Sequence, residues 1–307
     1  KAPRLKYTKF RDKDGRRIPR SEYHHKAAEY LAQEQWKRNP DRIPPPKVNP
    51  SNLTNGRFPI NDSQFTLDEL DAVIRKQPNN KAPGTHNLRA ELVKYLDEEN
   101  RKALLQFYND ILQPGKLENS LHEASVVSIF KKGDSTKLEN YRPISLLQTF
   151  YKLLAAMIKN RLTQGLDDWV MTTQYGFRSG KSTSHAIFLA RRLQSIAEVT
   201  DRNISVVMLD WKKAFDRVYH DRLMESLQRL EVPPRFLKFI KGIYAHPKFQ
   251  VKCEEGSSAF LRQEAGIRQG CPLSPYLFIL VMSVAFSNIK HRLHTPKQFE
   301  LSTCLNC

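Results

Sequence analysis

Val206-Val207-Met208-Leu209 is a β-prone run that ends on a carboxylate, Asp210, and a second carboxylate, Asp216, follows within six residues. A carboxylate at the carboxyl end of a strand can project into a cleft and offer hard oxygen ligands to magnesium. Two divalent cations about 4 Å apart stabilise the attacking and leaving oxygens of a phosphoryl transfer. Asp210 is therefore the candidate catalytic residue and the candidate metal ligand, shared by two Mg2+ ions. The plain alternative is a strand-end Asp that caps the next helix, and for Asp216 it is a helix-start or turn Asp. Between them, Phe215 either packs beside a bound sugar or belongs to the core, and Lys212 and Lys213 either touch phosphate or face solvent.

About fifty residues later comes Gly266-Ile267-Arg268-Gln269-Gly270-Cys271-Pro272-Leu273-Ser274-Pro275. Gly270 places flexible backbone before a helix and lets main chain approach a ligand closely. The amide of Gln269 can hydrogen-bond a base or sugar. A helix-entry turn is the competing reading, since Pro suits the first turn and Ser274 can cap. Upstream, Lys131 and Lys132 follow a strand, and Arg142 lies in Asn140-Tyr141-Arg142-Pro143-Ile144-Ser145. Such cations neutralise a triphosphate, or they form a surface charge cluster. Gly180-Lys181-Ser182 ends like a phosphate loop, but the first glycine of that motif would fall at Gln174 or Tyr175 and is absent.

The elements that must position these groups are legible from periodicity. Thr66-Leu67-Asp68-Glu69 has capping-box spacing, and Leu67, Leu70, Val73 and Ile74 follow as a helical stripe. Asn79 to Gly84 breaks that helix. A second helical stretch runs from Leu92 to Leu112, and Ala124 to Phe130 reads as a strand. Helices are predicted over 146–165, 183–198, 220–230, 234–245 and 273–292. Ile204 to Leu209 is the predicted central strand, and Phe249–Lys252 with Ala259–Glu264 forms a short hairpin. Strands separated by helices without an even βαβ rhythm predict an α+β fold.

Fifty Lys and Arg against 32 Asp and Glu give a net charge of +18, which favours polyanionic partners through counterion release. Residues 1–50 carry 14 basic against 6 acidic residues, a net +8, as in a basic arm on nucleic acid or a disordered tail. Pro40, Pro44, Pro45, Pro46 and Pro50 mark a stiff linker after it. Four cysteines are too few for a disulfide framework, and Cys304-Leu305-Asn306-Cys307 is at most half a zinc site. The longest apolar run, Tyr276 to Phe286, is too short to cross a membrane. The chain begins at Lys1 without a signal peptide and reads as a fragment.

The order of the segments adds more. Lys81-Ala82-Pro83-Gly84, Lys131-Lys132-Gly133-Asp134, Asn140 to Leu147, Gln174-Tyr175-Gly176-Phe177-Arg178, Leu209-Asp210 with Lys213-Ala214-Phe215-Asp216, and Arg268 to Pro275 are collinear. Over about residues 58–292 they resemble non-LTR retrotransposon reverse transcriptases. The resemblance implies a right-hand polymerase with fingers and palm that copies an RNA template into DNA from a DNA primer and dNTPs with magnesium. It implies that Asp210 is the first catalytic metal ligand and Phe215 the gate against a ribose 2′-hydroxyl. Gln269 and Gly270 would contact template and nucleotide, and Arg142 with Lys131 or Lys132 would grip the triphosphate.

On that pattern the chain divides into a basic arm and Pro-rich linker (1–57), fingers and the start of the palm (58–200), and a palm (201–307). The palm is incomplete and no thumb is present. The family's aromatic-Ala-Asp-Asp hairpin is not found, and the single Asp-Asp pair, Asp167-Asp168, lies upstream without flanking apolar strands. The 307 residues are thus expected to polymerise poorly or not at all alone. A non-catalytic RNA-binding module derived from such an enzyme is the competing reading, and a splicing-maturase relative is a third. The implied genomic target places the protein in the nucleus, and the Thr85-His86-Asn87 turn departs from the family's usual glycine-rich form.

Overall fold

The computed structural model describes residues 10–12, 14–39, 52–84, 88–113 and 122–294. The Pro-rich linker, the Thr85-His86-Asn87 turn, and Cys304 with Cys307 lie outside the described residues. The architecture is mixed, with a small open sheet against a body of helices, in keeping with the α+β expectation.

A strand with β-branched residues, β1 (Glu123–Phe130), turns back as β2 (Tyr141–Leu146), pairing Val127 with Ile144 and Ile129 with Arg142. β3 (Lys248–Cys253) runs parallel to β1 on its other side, with Ala124 beside Phe249. The short β4 (Gly256–Ser257) and β5 (Leu261–Arg262) both pair antiparallel with β3. This leaves β2 as an edge strand. The expected 249–264 hairpin is the β3–β5 portion.

The main core is helical. α2 (Leu67–Arg75) starts on a true capping box, with Thr66 and Glu69 each accepting from the other's backbone N–H. α3 (Ala90–Val93) and α4 (Glu98–Ile111) divide the second predicted helix. In α5 (Thr149–Leu166) the residues Leu154, Ile158, Leu162 and Leu166 recur every fourth position and are wholly buried. α7 (His220–Arg229), α8 (Pro234–Ala245) and α9 (Ser274–His294) close over it. Arg161 of α5 is buried in this body. It pairs Nε and Nη2 with both carboxylate oxygens of Glu69, at 2.8 Å each, and donates to the carbonyls of Asn61, Ser63 and Gln64. The fork is satisfied on every side, which is the condition for a buried guanidinium to be stable.

Two expectations are corrected. Ile204 to Leu209 is not a strand: residues 202–211 form no regular structure, and Met208 is 90% exposed. A strand needs a hydrogen-bonded neighbour, and none of the described strands pairs with this segment. α6 (Thr183–Val199), which precedes it, likewise buries no residue despite Ile187, Phe188, Leu193 and Ile196. Second, the described part of the basic arm is no tail. α1 (Tyr23–Tyr30), continued by a π-helical turn at Leu31–Gln35, packs Ala27, Ala28, Leu31 and Trp36 against Val126, Phe249 and Val251 of the sheet. Tyr23, Ala27 and Leu31 supply the i, i+4, i+8 stripe that makes this a docked helix.

Candidate active site

The residues with chemistry fall into three groups around the sheet edge. The first is built on Asp216, which is buried in a 3-10 turn (Phe215–Arg217). The Trp36 indole N–H donates to Asp216 Oδ1 at 2.9 Å, across 180 residues of sequence. The Gln269 amide donates from Nε2 to both Asp216 oxygens at 3.1 Å. Lys213 is tied to the Tyr30 hydroxyl at 2.6 Å and to Gln35 Oε1 at 2.8 Å, and lies over the Tyr30 ring. Burial pushes the Asp216 carboxyl above its ordinary value, only partly offset by the Trp36 and Gln269 hydrogen bonds and the charge of Lys213. Burial also pulls the Lys213 ammonium down, against the attraction of Asp216. Gly266 N–H to Val218 O and Ile267 N–H to Phe215 O stitch the two segments together.

The second group is the Gln269-Gly270 turn along the free edge of β2. Ser145 N–H donates to Gln269 O at 2.6 Å. Gly270 has φ +114°, and a Cβ placed on it would stand 2.5 Å from the Ser145 carbonyl oxygen. Glycine at this position is therefore required by the close approach of two backbones, with no ligand needed to explain it. Phe215 stands beside this turn, half-buried, stacked on Phe278 at 4.9 Å and edge-on to the exposed Phe177 at 5.9 Å. One side of its ring thus serves the core reading.

The third group is the end of the β1–β2 hairpin. Arg142 is exposed on β2, three residues and so about 10 Å along the strand from Ser145. Lys131 and Lys132 are exposed just past β1. No described side chain pairs with any of these three cations. Asp210 belongs to none of the groups. It sits on the exposed 202–211 segment, and among the described residues nothing hydrogen-bonds its carboxylate. The structure thus joins Phe215, Gln269 and Gly270 through Asp216, and leaves Asp210, Lys131 and Arg142 apart from them.

Two motif segments turn out to be structural. Arg178 of Gln174-Tyr175-Gly176-Phe177-Arg178 grips both Asp167 oxygens and the carbonyls of Asp167 and Met171, capping the end of α5. Asp167 is thereby engaged, in accord with its reading as a loop residue. A cavity of about 520 Å³ lined by His122, His246, Lys248 and Arg262 lies at the opposite end of β1 from Lys131, and no candidate residue lines it. It contains none of the motif residues, and the motif cluster is the better candidate.

The donor set does not complete a two-ion centre. Among the described residues no three His, Cys, Asp or Glu side chains stand close enough to share a metal.

Residues 129–305, which hold the strand-edge turn with Gln269 and Gly270, Phe215 and the β1–β2 hairpin cations, match the reverse transcriptase (RNA-dependent DNA polymerase) family. The match covers more than half of the chain, which belongs to that family. Its relatives are proteins of mobile elements, and the chain is a reverse transcriptase domain of the non-LTR retrotransposon kind. It is 33% identical over 232 residues to the transposon TX1 uncharacterized 149 kDa protein of Xenopus laevis, covering 76% of this chain and 18% of that protein. It is 30% identical over 224 residues to the RNA-directed DNA polymerase from mobile element jockey of Drosophila melanogaster, 72% of this chain and 24% of the relative. Similarity to the Pol polyprotein from the type-1 retrotransposable element R2 of Nasonia vitripennis is 25% over 189 residues, 61% of this chain and 18% of the relative. The chain therefore spans about a fifth of the length of these relatives. Among the described residues no helix is long and apolar enough to cross a membrane.

Proposed function

We propose that this chain takes part in RNA-directed DNA synthesis in the nucleus, on an RNA template and a DNA primer with dNTPs. Residues 58–200 would act as fingers and the start of the palm, and 201–307 as the palm. The observation that carries this reading is the collinear motif set, most of it within the family match, together with the unpaired Arg142 and Lys131 on the β1–β2 hairpin whose edge strand the Gln269-Gly270 turn borders. Arg142 and Lys131 neutralise triphosphate charge as it arrives, Gln269 meets base or sugar, and the open face of Phe215 packs beside the sugar. Magnesium supplies Lewis-acid stabilisation of the transferring phosphoryl group when bound. Asp210 is its ligand on this reading, but the described donors do not complete the site, and no step is built on it.

The test is binding and extension of an RNA–DNA template–primer by the 307-residue chain. Binding should weaken with salt, and Arg142→Ala or Lys131→Ala should lower the salt slope by about one each. Extension should be slow or absent, and any magnesium-dependent extension should vanish in Asp210→Ala. Failure to bind template–primer would sink the proposal. The isolation of Asp210 favours a second reading, a binding module without chemistry, and binding that no metal condition converts to extension would support it.

A further inference from the structure

The Asp216 carboxylate is held by groups from two distant stretches of chain, Trp36 from the amino-terminal segment and Gln269, while its backbone N–H donates to Lys213 O within its own turn. A carboxylate only accepts hydrogen bonds. The Gln269 carboxamide must therefore present its NH2 to Asp216, and it meets both oxygens at 3.1 Å. That fixes the other end. No described group donates to Gln269 Oε1, and the side chain is only half-buried. Trp36 in turn fixes Asp216: its ring is buried edge-on against Phe249 at 4.6 Å, and its N–H meets Oδ1.

We propose that Asp216, held by Trp36 of the amino-terminal segment, is a positioning residue that locks the Gln269 carboxamide so that its carbonyl oxygen is offered to a ligand donor. The group recognised is then an N–H or O–H of a nucleotide, and not an acceptor such as a phosphate or carbonyl oxygen. This makes the amino-terminal segment part of the nucleotide site, although it contributes no atom to it. The ligand half of the proposal rests on the proposed function, and the locking half does not.

The two halves are tested separately on the 307-residue chain. Side-chain amide NMR, with Gln269→Leu identifying the resonance, reads the lock directly. The wild-type Gln269 amide protons should be resolved and slow to exchange with water. Asp216→Ala should release them by at least about tenfold in exchange rate, and Trp36→Phe, which keeps the ring on Phe249 and loses only the N–H, should do so more weakly. Asp216→Asn is near-isosteric and keeps an acceptor for Trp36, but it can turn an NH2 toward Gln269. It should leave the rest of the spectrum in place and let the carboxamide invert, with a distinct Gln269 shift. A Gln269 amide that exchanges equally fast in wild type and Asp216→Ala, with the fold intact, would overturn the lock.

Binding of dNTP in the presence of template–primer reads the ligand half. Asp216→Asn should weaken it about tenfold, the loss of one hydrogen bond. Unchanged dNTP binding in Asp216→Asn despite an inverted amide would overturn the assignment of Oε1. Absence of dNTP binding in wild type would instead overturn the polymerase reading and with it the ligand assignment, while the exchange data still decide the lock.

Discussion

Gly270→Ala puts the account of the sheet-edge turn to its hardest test, because two separable costs meet there. The first is conformational: φ is +114°, in the half of backbone space that residues with a Cβ avoid at about 1–2 kcal/mol. The second is steric, a Cβ 2.5 Å from the Ser145 carbonyl oxygen, where the obstacle is backbone that cannot rotate away. Relief must move the turn off β2 and strain the 2.6 Å Ser145–Gln269 hydrogen bond. Two other glycines isolate the components. Gly180 has φ +70° and nothing within 4 Å of its Cβ position, so Gly180→Ala should cost about 1 kcal/mol. Gly84 has no positive φ, but its Cβ would meet the Leu147 carbonyl carbon at 2.5 Å, so Gly84→Ala carries the overpacking cost of about 1–3 kcal/mol. Gly270→Ala should exceed either, at about 3–4 kcal/mol, or a fall in Tm of about 5–6 °C for a chain of this length. Urea and thermal unfolding followed by circular dichroism measure all three. If Gly270→Ala costs no more than Gly180→Ala, contact with Ser145 is not what demands glycine there.

Three further outcomes are expected. Arg161→Met leaves Glu69 and three carbonyls without their donor and should destabilise by about 3–5 kcal/mol in the same unfolding assay; a loss under about 1 kcal/mol would show that the fork is not holding α5 to α2. Burial alone would raise the Glu69 carboxyl, but the Arg161 hydrogen bonds and the Thr66 backbone outweigh it and hold it below 4.5. A depressed folded value means that this stabilisation is complete above about pH 4.5 and fades as pH falls through the folded value, so Arg161→Met should flatten the acid limb of a stability–pH profile. Asp210→Ala removes an exposed, unpartnered side chain and should leave Tm within the roughly 0.5 kcal/mol scatter of surface substitutions, a result that separates a chemical role from a structural one.

Local signals were legible where one face of one element decides the outcome. The α2 capping box and the helices expected over 146–165 and 234–245 rest on local pattern, and they form as α2, α5 (Thr149–Leu166) and α8 (Pro234–Ala245). The edge strand β2 escaped notice because Pro143 argues against a strand; it fits at an edge, where a missing N–H is tolerated. Charge drew attention in residues 1–50 and hid the Tyr23, Ala27, Leu31 stripe, and Trp36 carries no motif that would tie it to Asp216. Of the site, Phe215, Gln269 and Gly270 were legible as a neighbourhood, but Asp216 was open to a plain turn reading. Its centrality comes from partners 180 and 53 residues away, which spacing cannot show. Ile204 to Leu209 reads as a strand by composition, yet composition does not provide the neighbour a strand needs.

That unpaired segment has a thermodynamic consequence for Asp210. Ordering six residues takes about 1–2 kcal/mol each in backbone entropy, while burying the side chains on one strand face, such as Val206 and Met208, returns about 1.5–3 kcal/mol each. The balance is unfavourable until a neighbour also satisfies the backbone N–H and C=O groups. Placing Asp210 and covering the apolar side chains beside it are then one event. By linkage, whatever stabilises either one stabilises the other by the same factor. The two ends of this site therefore rest on different supports: the Asp216 end is held by Trp36 of the amino-terminal segment, whereas the stability of any fixed Asp210 position is coupled to what covers the exposed Val206 and Met208.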